Sequence, residues 1–415
     1  MRFRHLLWIM VFLFLIVVTV FGVITWNLNK SIESKSTEQS IIADSLQNYK
    51  IAFNVLENSS LIKNLKGKKL VLLGEQQHGD GATQALNSEI VMFLKKNGFN
   101  VLFFESNFYP TYRLNESLRN VQNIDFSVAL NPFWAKSKET KELRQHIYQS
   151  AKTSDPFIVR GIDFQISTIF TQKKIHEDLV RYLKTIPSFE QYHYRHFWHS
   201  LKNGYGPVLY FNSKSSKMDK NREACLREIK LLIDLINSDF TSTNGEQQLY
   251  IRYLQNIYDF YYAKMFLKGD KYNAYRDSVM FENTIFQMEQ FPDEKFVLWS
   301  ANKHILNTSK FGKNLGYYLK NKFKDEMFTI MTTSYDGYST NIATSNIQRN
   351  NPATSTTVEY FLKNNHSDAS IFYTNDALKN KSSVMRFLGF NNLENFWFKE
   401  FDAFIFIPHM TPTHY

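Results

Sequence analysis

Residues 6–26 (LLWIMVFLFLIVVTVFGVITW) form an apolar run without one charged side chain. A helix of about 20 residues crosses a hydrocarbon core of about 30 Å, so this run predicts a transmembrane anchor. Arg2 and Arg4 precede it, which holds residues 1–5 in the cytoplasm and exports the rest to the periplasmic or extracellular side. A cleaved signal peptide is the competing reading, but the run is long and no small-residue cleavage site follows. Residues 27–48 are polar and Ser-rich and predict a stalk, which leaves 49–415 for the globular part.

Beyond the stalk, seven short apolar runs stand between polar or turn-forming residues. They are 69–73 (KLVLL), 101–104 (VLFF), 157–159 (FIV), 296–299 (FVLW), 327–332 (MFTIMT), 371–373 (IFY) and 404–407 (FIFI). Continuous apolar runs of this length predict strands buried on both faces. Between the first two, residues 83–97 place Leu86, Ile90, Phe93 and Leu94 at helical spacing, and Gly98 stops the pattern. Strand, helix and strand within 36 residues predict a parallel βαβ unit. From about residue 171 to 290 the pattern changes to long amphipathic stretches with no strand-like run. The expected fold class is α/β: a central, largely parallel sheet flanked by helices, with an α-helical insertion at about 171–290 and an N-terminal transmembrane helix.

Composition adds three constraints. Aromatic residues reach 16%, with 37 Phe and 23 Tyr, so some are expected to line a pocket for an apolar ligand as well as fill the core. The lone Cys225 excludes an internal disulfide and reads as a small buried hydrophobe. The net charge of +10 is interleaved with acids, and no basic run alternates with aromatics, which argues against a nucleic-acid partner.

The chemistry-bearing residues gather where the predicted strands end. The first strand runs into Gly74-Glu75-Gln76-Gln77-His78-Gly79 and the second into Glu105-Ser106. The third gives Gly161-Ile162-Asp163 and the fourth Ser300-Ala301-Asn302-Lys303-His304. In open α/β sheets, ligands sit beyond the carboxyl ends of the strands, so these ends predict one shared site. A single acid after a strand is ordinarily a cap or a loop ion pair; four strand ends delivering Glu, His, Glu, Asp and His are not. Gly79 and Gly81 beside His78 suggest a backbone shaped around a site. The cluster Tyr192-His193-Tyr194-Arg195-His196-Phe197-Trp198-His199 offers a weaker metal reading through His193 and His196, against an aromatic packing face. No G-x-S-x-G elbow, P-loop, dinucleotide fingerprint or H-E-x-x-H is present.

The Gly-Glu-x-x-His-Gly turn, its helix and the strand ending in Glu105 are followed in order by further short echoes. These are Gly161-Ile162-Asp163-Phe164-Gln165, Arg276-Asp277 with Met280 and Asn283, and Trp299 with Asn302-Lys303-His304-Ile305. Gly316-Tyr317-Tyr318-Leu319 and Phe401-Asp402-Ala403 close the series. In this order and spacing, residues 70–412 resemble the erythromycin esterase family, within the erythromycin esterase-like and Tiki-type superfamily. The resemblance implies hydrolysis of an ester or lactone by histidine-activated water, with no serine nucleophile, no cofactor and no obligatory metal. It makes His78 the base, Glu75 or Glu105 the carboxylate that fixes its tautomer, and His304 the group that meets the carbonyl or developing oxyanion. Asp163, Arg276 and Asn302 are expected to bind substrate, Arg276 through a substrate oxygen or an acid such as Asp277 or Glu105. A role in antibiotic response follows from the same resemblance.

The chain departs from the family pattern at three places. Gln76 and Gln77 replace a usually small pair, Asn87 stands where a basic residue is common, and Ala301 replaces the first histidine of His-Asn-x-His. These changes leave His78 in place and remove groups that could bind substrate or stabilise charge. Two other readings are therefore carried: a metal-dependent hydrolase with Glu75, His78, Glu105 and His304 as ligands, and a catalytically degenerate binder of an apolar small molecule. A free cleft points to an enzyme, and a cleft plugged by aromatic side chains points to the binder.

Overall fold

A computed structural model describes residues 2–50, 60–120, 125–165, 177–202, 216–238 and 245–415, without the side chains of 2–12, 15, 47–50, 60, 191–192, 201–202 and 216–220. The strands are β1 (Gln47–Lys50), β2 (Leu70–Glu75), β3 (Phe99–Asn107), β4 (Ile158–Asp163), β5 (Lys295–Ala301) and β6 (Met327–Thr340). They continue with β7 (Ile347–Asn350), β8 (Ser370–Tyr373), β9 (Ser383–Met385), β10 (Leu393–Asn395) and β11 (Ala403–Met410). One sheet runs β1-β8-β11-β6-β2-β5-β3-β4, with β7 paired to β6, while β9 and β10 form a separate pair. From β11 to β4 every neighbour is parallel; β8, β1 and β7 join antiparallel.

All seven apolar runs lie in strands apart from their leading residues Lys69 and Phe157, and the physical reason is visible in β2. Leu70 and Leu72 enter one core with Met280, Leu315 and Leu319, whereas Val71 and Leu73 enter another with Leu86, Ile90 and Leu94. A strand covered on both faces needs apolar side chains at every position, each worth about 1.5–3 kcal/mol when fully buried. The helix Gly81–Lys96 follows β2 and ends at Asn97, and Gly98 adopts φ +84° to leave it. The unit β2–helix–β3 is parallel as expected, but β5 is inserted between its two strands.

Among the described residues of the middle segment there are helices and no strands, including Ser216–Ser238, Gly245–Phe266 and Asp270–Met288. They surround a core of their own containing Tyr109, Phe197, Leu232, Tyr250 and Leu254, which absorbs much of the aromatic surplus. Tyr194, Phe197 and Trp198 are buried there, while His193 pairs with Glu190 at 3.3 Å and His196 accepts from Arg195, so the cluster packs through these three aromatic residues. Cys225 is buried in the same core, and burial pushes its thiol up to about 12. The helix Asp270–Met288 returns to the sheet. Asn283 Nδ2 donates to Ile162 O at 2.8 Å and Gln287 Nε2 to Gly161 O at 2.9 Å, hooking it to β4.

The N-terminal helix spans Arg2–Asp44, so the segment expected as a stalk is helical through most of its length. Its last turn packs on the globular part through Ile42 and Ala43, joined by Leu46 just beyond it. Lys35 Nζ bonds Glu394 at 3.0 Å, and Gln39 accepts from Val384 N at 3.0 Å, clasping the β9–β10 pair. The expected membrane span at residues 6–26 falls partly outside the described side chains. Among the described residues no helix is long and apolar enough to cross a membrane.

Candidate active site

The carboxyl ends of β2, β5, β3 and β4 lie side by side, and the chain reverses its course through the sheet here. Glu75 is the last residue of β2 and is fully buried. Its Oε1 lies 2.6 Å from His78 Nδ1, and its Oε2 accepts from Trp299 Nε1 at 3.2 Å. Burial raises the Glu75 carboxyl above its ordinary value, with His78 pulling the other way. The turn that brings His78 back over Glu75 depends on Gly79, whose carbonyl accepts from Thr340 N at 2.9 Å and Thr413 N at 3.0 Å. A Cβ on Gly79 would overlap the Thr340 backbone. Gly79 has no positive φ, so close approach is the reason for glycine here, not turn conformation.

His78 is flanked by two residues from the short helix Pro132–Ala135. Phe133 stacks on the imidazole with centroids 4.3 Å apart, and Trp134 meets it edge-on at 5.5 Å. Burial disfavours the His78 cation, yet the carboxylates of Glu105 and Glu75 outweigh it and raise the pKa above the ordinary 6.5.

Glu105, near the end of β3, is the hub. Its Oε2 accepts from Ser300 Oγ at 2.7 Å and from Ala301 N at 3.1 Å. Its Oε1 meets Arg276 Nη2 at 2.7 Å, His304 Nε2 at 3.3 Å and His78 Nε2 at 3.8 Å. Burial alone would raise this carboxyl, but His304, His78 and Arg276 together hold it well below the usual carboxylate range. Arg276 also grips Asp163, Nη2 to Oδ2 at 2.6 Å and Nε to Oδ1 at 3.1 Å. His304 Nδ1 lies 2.7 Å from Asp277 Oδ1, which also accepts from Leu315 N at 3.2 Å. Burial works against the His304 cation, but Asp277 and Glu105 push its pKa up to about 10. Arg276 Nη1 also lies 3.2 Å from His304 Nε2.

The structure therefore brings together Glu75, His78, Glu105, Asp163, Arg276 and His304. It turns Asn302 away: Nδ2 donates to Thr332 O and Phe387 O, both at 2.8 Å, and the residue is buried. Gly74 is glycine because its Cβ would strike that same amide. Two of the departures are likewise internal. Gln76 bonds Arg386 O and Ser334 Oγ, and Asn87 donates to Gly74 O. Residues that pattern reasoning passed over are Phe133, Trp134 and Ser300, together with the bonds of Trp299 to Glu75 and of Asp277 to His304. Only Ser300 carried a signal, its place at a strand end.

His78 and His304 face one cleft of about 450 Å³, bounded further by Gln77, Lys303, Ile342 and Leu388. No Phe, Tyr or Trp among the described residues lines it. Among the described residues, most of the large aromatic side chains lie in the cores. Among the described residues no three His, Cys, Asp or Glu side chains converge where a cation could sit. Arg276 bonds one oxygen of Glu105 and both of Asp163.

The profile of the family described as Erythromycin esterase matches residues 94–410, which includes Glu105, Asp163, Arg276 and His304 and begins after the Glu75–His78 turn. The Bacillus subtilis (strain 168) protein "Putative hydrolase YbfO" is 22% identical over 396 residues, covering 85% of this chain and 86% of that protein. Among solved structures, a Bacillus cereus protein superposes with a TM-score of 0.75 at 17% identity, covering 91% of this chain and 98% of that one. A histidine variant of the erythromycin esterase EreC in its open conformation gives 0.62 at 15% identity, covering 87% and 95%. A succinoglycan biosynthesis protein gives 0.73 at 14% identity, covering 92% and 98%. At these identities the structural likeness speaks for the mixed α/β fold.

Proposed function

The chain belongs to the erythromycin esterase family, which makes it an esterase-like hydrolase, and from that premise we propose that it cleaves a small-molecule ester or lactone with water activated by His78. The observation that carries this reading is the 2.6 Å contact between His78 Nδ1 and buried Glu75. It fixes the tautomer and leaves Nε2 as the base. Nε2 takes a proton from water as the water oxygen bonds to the substrate carbonyl carbon. The carbonyl π electrons become an oxyanion beside the His304 imidazolium and the Arg276 guanidinium. Collapse of the intermediate breaks the acyl C–O bond, and the departing alkoxide takes the proton from His78. A positioned base contributes about 10²–10⁴-fold, and oxyanion stabilisation about 10²–10³-fold. Glu105 holds both histidines and Arg276 in register.

Purified protein assayed against aryl esters and macrocyclic lactones tests the mechanism. His78→Ala should lose at least about a hundredfold in turnover; retention of most of it refutes His78 as the base. Failure of the wild type to cleave any ester, with an apolar ligand bound in the cleft, would favour the binder.

Residues 6–26 we read as an uncleaved anchor, with the domain on the exported side. Support comes from the missing charge and from side chains such as Phe14 and Phe21, 66% and 70% exposed. Lys30 Nζ lies 5.3 Å from the Trp26 ring, an aromatic and a cation at the end of the apolar run, as membrane interfaces favour.

A further inference from the structure

β4 is the last strand of the sheet, and a side chain closes part of its free edge. Asn115 donates from Nδ2 to Val159 O and accepts from Val159 N at 3.0 Å. The next residue, Arg160, lines a cavity of about 150 Å³ together with Tyr112, Glu116, Arg119 and Phe291. Arg160 is only 7% exposed. Its guanidinium carbon lies 4.7 Å from the Tyr112 ring centroid and 5.3 Å from that of Phe291. Nη1 donates to Val159 O at 3.1 Å, while the buried Nε has no acceptor among the described residues. Glu116, the acid on the same wall, is half-exposed and engaged by Arg113 Nη1 at 2.6 Å. Burial pulls the Arg160 pKa down to about 10, against weaker opposing effects of Tyr112 and Glu116.

A buried guanidinium without a carboxylate partner is a rare arrangement, because desolvation of its charge goes uncompensated. Ring faces above a guanidinium occupy its faces and leave its edge donors for the fork geometry that oxyanions accept. The cavity has the volume of about five waters, enough for a carboxylate or phosphate group. Arg119 adds a second cation to the wall. We propose that this cavity binds a small oxyanion, a carboxylate or phosphate group, through Arg160 and Arg119. It is separate from the catalytic cleft: the two share no lining residue, and Arg160 lies about 10 Å along β4 from Asp163.

The test uses the full chain, titrated with inorganic phosphate and with acetate, against chloride at equal ionic strength, by calorimetry and thermal unfolding. At least one of the two should bind saturably and raise the unfolding temperature where chloride does not. Saturation by phosphate alone identifies a phosphate site, and by acetate alone a carboxylate site. Arg160→Gln should weaken binding about tenfold or more, and Arg119→Gln less, as expected for losing a charged donor. His78→Ala should leave binding unchanged. Should Arg160→Gln fail to fold, Arg160→Lys keeps the charge, removes the fork, and should also bind about tenfold more weakly. No saturation with either anion, or full affinity in the Arg160 variants, overturns the proposal.

Discussion

The imidazole of His78 lies flat against the ring of Phe133, their planes 10° from parallel. Glu75 fixes one nitrogen of this proposed base, and the stack fixes its plane. An aromatic face also favours an imidazolium over a neutral ring, by about 0.5–1 kcal/mol at accessible sites. Phe133→Leu keeps apolar volume and removes that face. The pKa of His78 should fall. The acid limb of the kcat/KM profile should move down with it, while KM for a neutral ester changes little. An unmoved acid limb would remove Phe133 from the positioning of the base.

A base must be neutral to accept a proton. Because the pKa of His78 is raised, activity should be lost as pH falls through a value above the ordinary 6.5. His304 must stay charged to face the oxyanion, and it loses its proton near 10. The expected profile is a bell between these limits. A flat rate across pH 8–11 would exclude the His304 cation from the transition state.

Arg276 holds two buried carboxylates, Glu105 and Asp163. Arg276→Met should cost about 3–5 kcal/mol in urea unfolding, since both acids lose their partner in a buried setting. The depressed Glu105 pKa adds stability that is present above its unfolded value and lost as pH falls through its folded one. The variant should show a smaller loss of stability on acidification than the wild type. Equal acid sensitivity would mean that the two histidines alone hold Glu105 ionised.

Deletion of residues 2–30 should release folded protein from membranes, because Lys35 to Leu46 keep their contacts. Deletion of 2–46 should also destabilise it by several kcal/mol, as Ile42 and Leu46 leave the core at about 1.5–3 kcal/mol each. Full-length protein recovered with a mature N-terminus just after residue 26 would establish cleavage and end the anchor reading.

The central strands are legible in the sequence because burial on two faces leaves no room for polar residues, as in Leu70–Leu73. β7 and β10 escape notice because they are short and carry polar or exposed residues such as Gln348 and Glu394. The helicity of the stalk is masked by its serines, and its docking depends on tertiary partners such as Val384 and Glu394. Glu75, Glu105 and Asp163 are legible because strand ends locate them. Asn302 and Gln76 look much the same in sequence, but their amides satisfy interior partners, a distinction that needs the third dimension. Phe133 and Trp134 come from a short helix between β3 and β4, where no periodicity marks them.

The place of β5 between β2 and β3 has a consequence for how the chain is made. About 190 residues separate the end of β3 from the start of β5. A ribosome adding about 5–20 residues per second needs on the order of 10–40 s to cross that distance. For that interval the strands bearing Glu75 and Glu105 lack their common neighbour, and unpaired strand edges are templates for wrong pairing. A nascent chain ending before Lys295 carries His78 and both glutamates but not the strand that holds them in one sheet. The shared strand-end site thus assembles late in synthesis, and the aggregation hazard comes first.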